Sequence, residues 1–208
     1  MVITYLGKQF FKITQGETVI AINPIGKDSK LKDKGSRFGA NVTLITTNHP
    51  DFNGADNTTH GETAPFVISG PGDYEVKGIF IKGVLSEATI GGKKYINTIY
   101  SFSIDDISIC FMGALSSPEL SDKAREQIDT PDILFIPVGG NDVLTPSAAY
   151  KLGVSLDAKI IIPMDYDAAS LKTFLKEAGE DKIAPVEKLT LKRKDLEGKE
   201  GDVVVLGA

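Results

Sequence analysis

The chain has little of several features that would each point to a particular class of protein. Its single cysteine, Cys110, among 208 residues rules out an intrachain disulfide and favours a reducing compartment. Acidic residues outnumber basic ones by 28 to 23, for a net charge of −5, which argues against a phosphate-binding surface for nucleic acid. No apolar run approaches membrane-spanning length, and the first residues carry no basic leader. We therefore expect a cytoplasmic, soluble protein with neither nucleic acid nor membrane as a partner.

The remaining composition is that of one ordinary globular unit. An apolar fraction of 41% and a charged fraction of 25% fit a single domain over residues 1–208. Helical start signals predict helices at residues 117–128, 145–154 and 167–179, with Pro118 and Pro146 in the first helical positions and Asp167 as a cap. Sheet in the first half, then alternation of strand and helix, favours a layered α/β sandwich. Short β-branched and aromatic segments predict strands at residues 1–6, 10–14, 18–23, 42–45, 65–69, 78–84, 98–104, 107–111, 132–137, 159–163, 188–192 and 202–206.

Histidine is also scarce, and one of the two histidines lies in the most informative segment, VTLITTNHPDFNG, residues 42–54. There a short apolar strand runs into a polar loop. Several metallohydrolases place clustered His and Asp side chains at such a strand end, because a divalent ion needs lone pairs held by short side chains on a rigid element. This loop supplies one imidazole, His49, and one carboxylate, Asp51, so it has the form of a metal-binding loop with few ligands.

Six segments of the chain carry a family resemblance: ITYLGKQFFKI, VIAINP, LITTNHPDFNG, ICFMGALSS, DILFIPVGG and IIPMDY. Together they resemble the metallo-β-lactamase superfamily, and within it the small bacterial branch of metal-dependent hydrolases with the β-lactamase fold. The resemblance covers essentially the whole length. It implies a four-layer αββα sandwich with a site for one or two metal ions along the edge between the two sheets.

The resemblance also implies that most of the family's metal ligands are replaced in this chain. Two positions keep a matching ligand, and one holds a substitute carboxylate. The third-histidine region contains GPGDYEV, residues 70–76, which has no histidine. The four residues of the family's histidine-rich signature fall on Thr47, His49, Asp51 and Phe52. The family's bridging aspartate falls on Ala114, and its terminal histidine falls on Asp165.

This replacement decides the expected function. Catalytic zinc takes at least three protein ligands and a water, and phenylalanine and alanine offer no lone pair. We therefore expect a degenerate metal site, no cofactor, and a non-catalytic binding or structural protein whose partner is a small molecule or a protein, with a homo-oligomer left open. The alternative is a hydrolase of esters or phosphoesters in which His49, Asp51 and Asp165 weakly hold one Mn²⁺, Mg²⁺ or Zn²⁺ that activates water.

Each residual ligand also has a purely structural interpretation. His49 is explained equally well by a hydrogen bond to backbone or to Asp51, and Asp51 is a common turn former after a strand. Asp165 follows a buried strand, where it would satisfy backbone amides before the third helix. Cys110 lies in an apolar run and is expected to be a small core residue rather than a nucleophile.

Overall fold

Thirteen strands and three α-helices lie in residues 1–180 and 182–208, the part of the chain that this computed structural model describes. The α-helices are α1 Asp122–Gln127, α2 Pro146–Ser155 and α3 Ala168–Glu177, and two 3-10 helices cover Ala55–Thr58 and Arg193–Leu196. The strands are β1 Val2–Tyr5, β2 Phe11–Gln15, β3 Thr18–Ile22, β4 Val42–Leu44, β5 Phe66–Ile68, β6 Gly72–Val76, β7 Ile79–Ile90, β8 Lys93–Ile104, β9 Ile107–Phe111, β10 Ile133–Pro137, β11 Ile160–Met164, β12 Lys188–Thr190 and β13 Asp202–Val203.

The strands form two mixed sheets. The first has the order β12-β1-β2-β3-β4-β5, and the second has the order β13-β11-β10-β9-β8-β7-β6. In both sheets the strands joined by tight turns pair antiparallel, whereas β3-β4-β5 and β9-β10-β11-β13 run parallel. The last two strands divide between the sheets, since β12 pairs with β1 and β13 pairs with β11.

The two sheets face each other across one apolar core. Alternating side chains of each strand point into it, as the two-residue period of a strand requires. The ring of Phe11 from the first sheet meets the rings of Phe111 and Phe135 from the second, with centroids 5.8 and 4.8 Å away in edge-to-face geometry. All three rings are fully buried. The hydroxyl of the buried Tyr100 on β8 adds a polar contact between the sheets, since it donates to the Ile45 carbonyl at 3.0 Å.

The outer faces of the sheets are covered differently. All three α-helices pack on the second sheet, where Ala124, Leu152 and Phe174 contribute one residue from each helix to a shared apolar cluster. The first sheet is covered by residues 24–41, whose Ile25 and Ala40 are buried against it, and by the 3-10 helix Ala55–Thr58. The predicted αββα sandwich is confirmed, with its outermost layer on the first sheet made of loop and 3-10 helix.

The start of α1 differs from the prediction. The Oγ of Ser117 accepts a hydrogen bond from the Glu119 N–H at 3.2 Å, which makes a local turn rather than a helix cap. The hydroxyl that caps the helix belongs to Ser121, which accepts from the Ala124 N–H at 3.2 Å. The helix therefore begins four residues later than Pro118 indicated. The other two caps, Thr145 and Asp167, are confirmed.

The strands around residues 70–100 are more extensive than predicted. Residues 72–76 were not among the predicted strands, yet they form the edge strand β6, on which Asp73 and Glu75 are exposed. Strands β7 and β8 each have 12 residues and are joined by a tight turn at Gly91 and Gly92. Their far ends form a long hairpin that projects past the rest of the sheet.

No helix among the described residues has the length and hydropathy needed to span a membrane.

Candidate functional site at the edge between the sheets

The two sheets meet where the loop after β4 runs alongside β8. Thr47 forms an isolated antiparallel bridge with Asn97, and the Thr98 N–H donates to the Thr46 carbonyl at 2.8 Å. This contact places the loop of residues 42–54 under the β7–β8 hairpin. The six positions that correspond to the family's ligands lie around this edge.

Two of these positions lie in an apolar cluster. Phe52 and Ala114 pack with Ala88 from the hairpin and Val143 from the loop before α2, and all four are buried. Phe52 is 2% exposed and Ala114 is fully buried. Hydrocarbon groups therefore fill the space that these two ligands would line, and they offer no lone pair to a cation.

Asn97 on β8 connects two further positions through hydrogen bonds. Its Oδ1 accepts from the Thr47 hydroxyl at 3.0 Å and from the Ala114 N–H at 2.9 Å. Its Nδ2 donates to the Ser86 hydroxyl at 2.8 Å and to the Met112 carbonyl at 2.9 Å. The side chain is fully buried, and all of its hydrogen-bonding capacity is used. Asn97 thus ties together the loops that would carry the first histidine and the bridging aspartate.

Gly113 makes this close approach possible. It has a φ of +63°, a left-handed conformation that glycine adopts without strain. A Cβ at this position would overlap Asn97 Oδ1 and lie 2.7 Å from the Cβ of Thr46. The glycine before the former bridging aspartate is therefore required by packing alone.

His49 and Asp51 lie next to each other but are engaged in the local turn. The Asp51 N–H donates to His49 Nδ1 at 3.3 Å, which places the imidazole proton on Nε2. The carboxylate Oδ1 of Asp51 accepts from the Ser29 hydroxyl at 2.5 Å, and its Oδ2 is 3.8 Å from His49 Nδ1. The imidazole also packs edge-on against Tyr95 at a centroid distance of 5.6 Å. About a fifth of each side chain is exposed.

Asp165 belongs to a different set of contacts, a buried polar network. Its Oδ1 is 2.5 Å from the ammonium Nζ of Lys8, and its Oδ2 accepts from Gln9 Nε2 at 2.8 Å. The network continues through Asn23. Its Nδ2 donates to Gln9 Oε1 at 3.0 Å and to the Thr46 hydroxyl at 2.9 Å. Both carboxylate oxygens of Asp165 are therefore engaged by donors of the protein itself.

The donors present do not fit the family's metal centre. Across residues 1–180 and 182–208 no three His, Cys, Asp or Glu side chains converge in a way that would hold an ion. His49 and Asp51 form a pair without a third ligand, and Asp165 is bound to an ammonium group. The prediction that these three residues share a weakly bound ion stays a prediction, and the geometry gives it no support.

The residues that organise this edge had no signal in the sequence analysis. Lys8 and Gln9 are separated from Asp165 by 157 and 156 positions, and Asn97 is 50 positions from Thr47. None of them belongs to a recognisable spacing motif. The one local feature that could have pointed to Lys8 and Gln9 is that these two polar residues follow Gly7 directly, between the apolar residues Leu6 and Phe10.

Two cavities adjoin the edge. One of about 310 Å³ lies beside the polar network and is lined by Lys8, Asp165 and Tyr166 together with residues 31–33. The other, of about 650 Å³, lies between the β7–β8 hairpin and residues 115–121 and is lined in part by Leu85 and Ser116. Volumes of this size are typical of small-molecule sites.

An αββα sandwich with a cleft along the edge between its sheets defines the class of this protein. The chain belongs to the β-lactamase superfamily: the model of the Beta-lactamase superfamily domain matches residues 2–165. It is similar to a UPF0173 metal-dependent hydrolase of Listeria monocytogenes serotype 4b, with 24% identity over 201 residues, which covers 82% of this chain and 87% of that protein.

Solved structures agree on the fold. A metallo-β-lactamase superfamily protein of Thermotoga maritima is 29% identical, with a TM-score of 0.76 over 99% of this chain and 97% of that one. An isothiocyanate hydrolase from Delia radicum gut bacteria is 11% identical, with a TM-score of 0.68 over 92% of this chain and 100% of that one. At such low identity the second likeness concerns the fold alone.

Proposed function

We propose that this protein uses the metallo-β-lactamase fold for binding or for a structural role, without the family's two-metal hydrolysis. The observation that carries the proposal is the replacement of ligands by groups that already have partners. Phe52 and Ala114 are part of an apolar cluster, and Asp165 is held by Lys8 and Gln9. A bridging carboxylate is what normally allows two cations to lie close together against their repulsion.

A cavity next to the candidate site has room for a ligand. It has a volume of about 650 Å³ and lies beside the β7–β8 hairpin. Its lining includes Leu115, the residue directly after Ala114, but none of the six ligand positions. Its volume is typical of small-molecule sites. The alternative ligand is a protein partner or a second copy of this chain.

Metal analysis tests the proposal directly. Protein purified without chelator should contain well below one equivalent of zinc, manganese or iron per chain, and its melting temperature should be the same with and without EDTA. A ligand that binds only the folded state raises the melting temperature, so added Mn²⁺ or Zn²⁺ should also leave it unchanged. Near-stoichiometric transition metal in the purified protein would contradict the proposal.

The second candidate is a hydrolase of esters or phosphoesters with a reduced site, supported by the names of the relatives and by the His49 and Asp51 pair. Both side chains are partly exposed, and 3.8 Å separates their facing atoms. In this case Mn²⁺ should raise the melting temperature and permit turnover of bis(p-nitrophenyl) phosphate or p-nitrophenyl acetate. The variant Asp51→Ala should lose both effects, whereas Asp56→Ala, at an exposed acidic residue nearby, should keep them.

A further inference from the structure

The ammonium group of Lys8 lies between two positions that correspond to metal ligands. Its Nζ is 2.5 Å from Asp165 Oδ1 and 6.0 Å from the centroid of the Phe52 ring, a distance at which a cation is still attracted by the face of an aromatic ring. The side chain of Asp165 is 8% exposed and that of Lys8 is 30% exposed. A single positive charge therefore lies, largely shielded from water, at the edge where the family holds its cations.

The backbone around this charge is held in an uncommon conformation. Lys8, Asn23 and Asp165 have φ angles of +57°, +50° and +54°. Residues other than glycine adopt positive φ infrequently, Asn and Asp more readily than most. All three residues belong to the network that passes through Gln9. The network thus contains three of the seven non-glycine residues with positive φ in the described part of the chain.

The network also spans the two sheets. Lys8 and Gln9 lie in the turn between β1 and β2, and Asn23 directly follows β3, so these three belong to the first sheet. Asp165 directly follows β11 of the second sheet, and its N–H donates to the Lys8 carbonyl at 2.8 Å. Main chain and side chains together thus join the sheets at this edge through one cation and one carboxylate.

We infer that the Lys8 ammonium is a built-in cation that takes the place of a metal ion at this edge, neutralising Asp165 and tying the two sheets together through Gln9 and Asn23. The inference rests on the proposed loss of the hydrolytic metal site. It goes further, because it assigns the positive charge of the former site to one residue. An ordinary surface ion pair would contribute little, whereas a shielded pair that has lost one partner leaves an uncompensated charge.

A double-mutant cycle measures the coupling between the two charges. Lys8→Met removes the charge but keeps the length of the side chain, and it should lower the melting temperature by about 5–10 °C. Asp165→Asn should also lower it, and the double variant should lose much less than the sum of the two single losses. Lys94→Met removes an exposed lysine that pairs with Glu87 and should have almost no effect. Additive losses for Lys8 and Asp165 would overturn the inference.

A cation titration separates a metal surrogate from a simple ion pair. With its carboxylate bare, Lys8→Met should gain a response to Mn²⁺, with a rise of about 3–6 °C at a tenfold excess over the dissociation constant. Wild type, Lys8→Arg and the double variant should show no rise. Absence of a response in Lys8→Met would overturn the cation role. A rise in wild type would overturn both this inference and the proposed function, whereas absence of a response in Lys8→Met leaves the proposed function standing, so the two failures are distinguishable.

If Lys8→Met yields no soluble protein, the same coupling can be scored by rescue. Adding Asp165→Asn removes the uncompensated carboxylate and should restore soluble protein, which is then titrated with Mn²⁺. Lack of rescue would overturn the inference, because it would mean that Lys8 acts through something other than the charge of Asp165.

Discussion

Asn97 is the residue whose loss should damage the site most, because its side chain forms hydrogen bonds with both the loop after β4 and the loop after β9. Asn97→Ala would leave the Ala114 N–H, the Met112 carbonyl and the Thr47 hydroxyl without their partners in a fully buried environment. A buried polar group left unsatisfied costs about 1–3 kcal/mol. Allowing for partial relaxation of the three groups, we expect a loss of about 3–6 kcal/mol in the free energy of unfolding.

Thermal and urea denaturation measure this loss. For a chain of 208 residues each kcal/mol lowers the melting temperature by about 2–4 °C, so the midpoint should fall by roughly 10–20 °C. Asn48→Ala is the matched control, since it removes the same side chain from an exposed hydrogen bond to Asn53. It should change the free energy of unfolding by less than about 0.5 kcal/mol. Equal and small losses in both variants would refute the argument that Asn97 holds the edge together.

Two further predictions concern groups away from this edge. Cys110 is 1% exposed, and burial raises the pKa of its thiol to about 12, so only about one molecule in 10⁴ carries a thiolate at pH 8. Ellman's reagent should therefore label it only after unfolding in guanidinium, and fast labelling of native protein would contradict its place in the core. Burial tends to raise the pKa of the Asp132 carboxyl, but hydrogen bonds from Lys159 and Ser108 outweigh it and hold the pKa below its usual value. A lowered pKa stabilises the fold above the unfolded value of about 3.9 and loses that effect as the pH falls through the folded value. Asp132→Asn should accordingly lower the melting temperature at pH 7 and lower it progressively less below about pH 4, and a difference that is constant with pH would speak against this role.

Much of the fold was predictable because its signals are local. The buried strands β9, β10 and β11 are short, mainly apolar runs rich in isoleucine, and the α2 and α3 caps stand directly before their helices. Strand β6 was missed because an edge strand with two exposed acidic side chains lacks the apolar alternation of a buried one. The start of α1 was misplaced because Pro118 indicated a helix that begins directly after Ser117, whereas the hydroxyl that caps the helix belongs to Ser121.

The sequence predicted the candidate site only as a set of positions at which the family's ligands are expected to be replaced. The resemblance to the family identified Phe52 and Ala114 as positions without lone pairs, and the structure shows both in an apolar cluster. The contacts that organise this edge were not predictable, because Lys8, Gln9 and Asn97 bind partners between 11 and 157 positions away. A local sequence pattern does not distinguish a lysine whose ammonium group lies in solvent from one whose ammonium group binds a buried carboxylate.

The two sheets of this protein are held together by more than the contacts at their edge. Fully buried rings from both sheets already meet in the core, so an ion at the rim adds order to loops rather than cohesion to the sandwich. Those loops carry the buried polar groups that an ion would otherwise organise. In this chain Asn97 satisfies the groups on one side of the edge and the network of Lys8, Gln9 and Asp165 satisfies those on the other. The side-chain oxygens that could bind a cation are already engaged in these hydrogen bonds and in the ion pair with Lys8. We therefore expect the loops to be ordered and the affinity for metal ions to be weak.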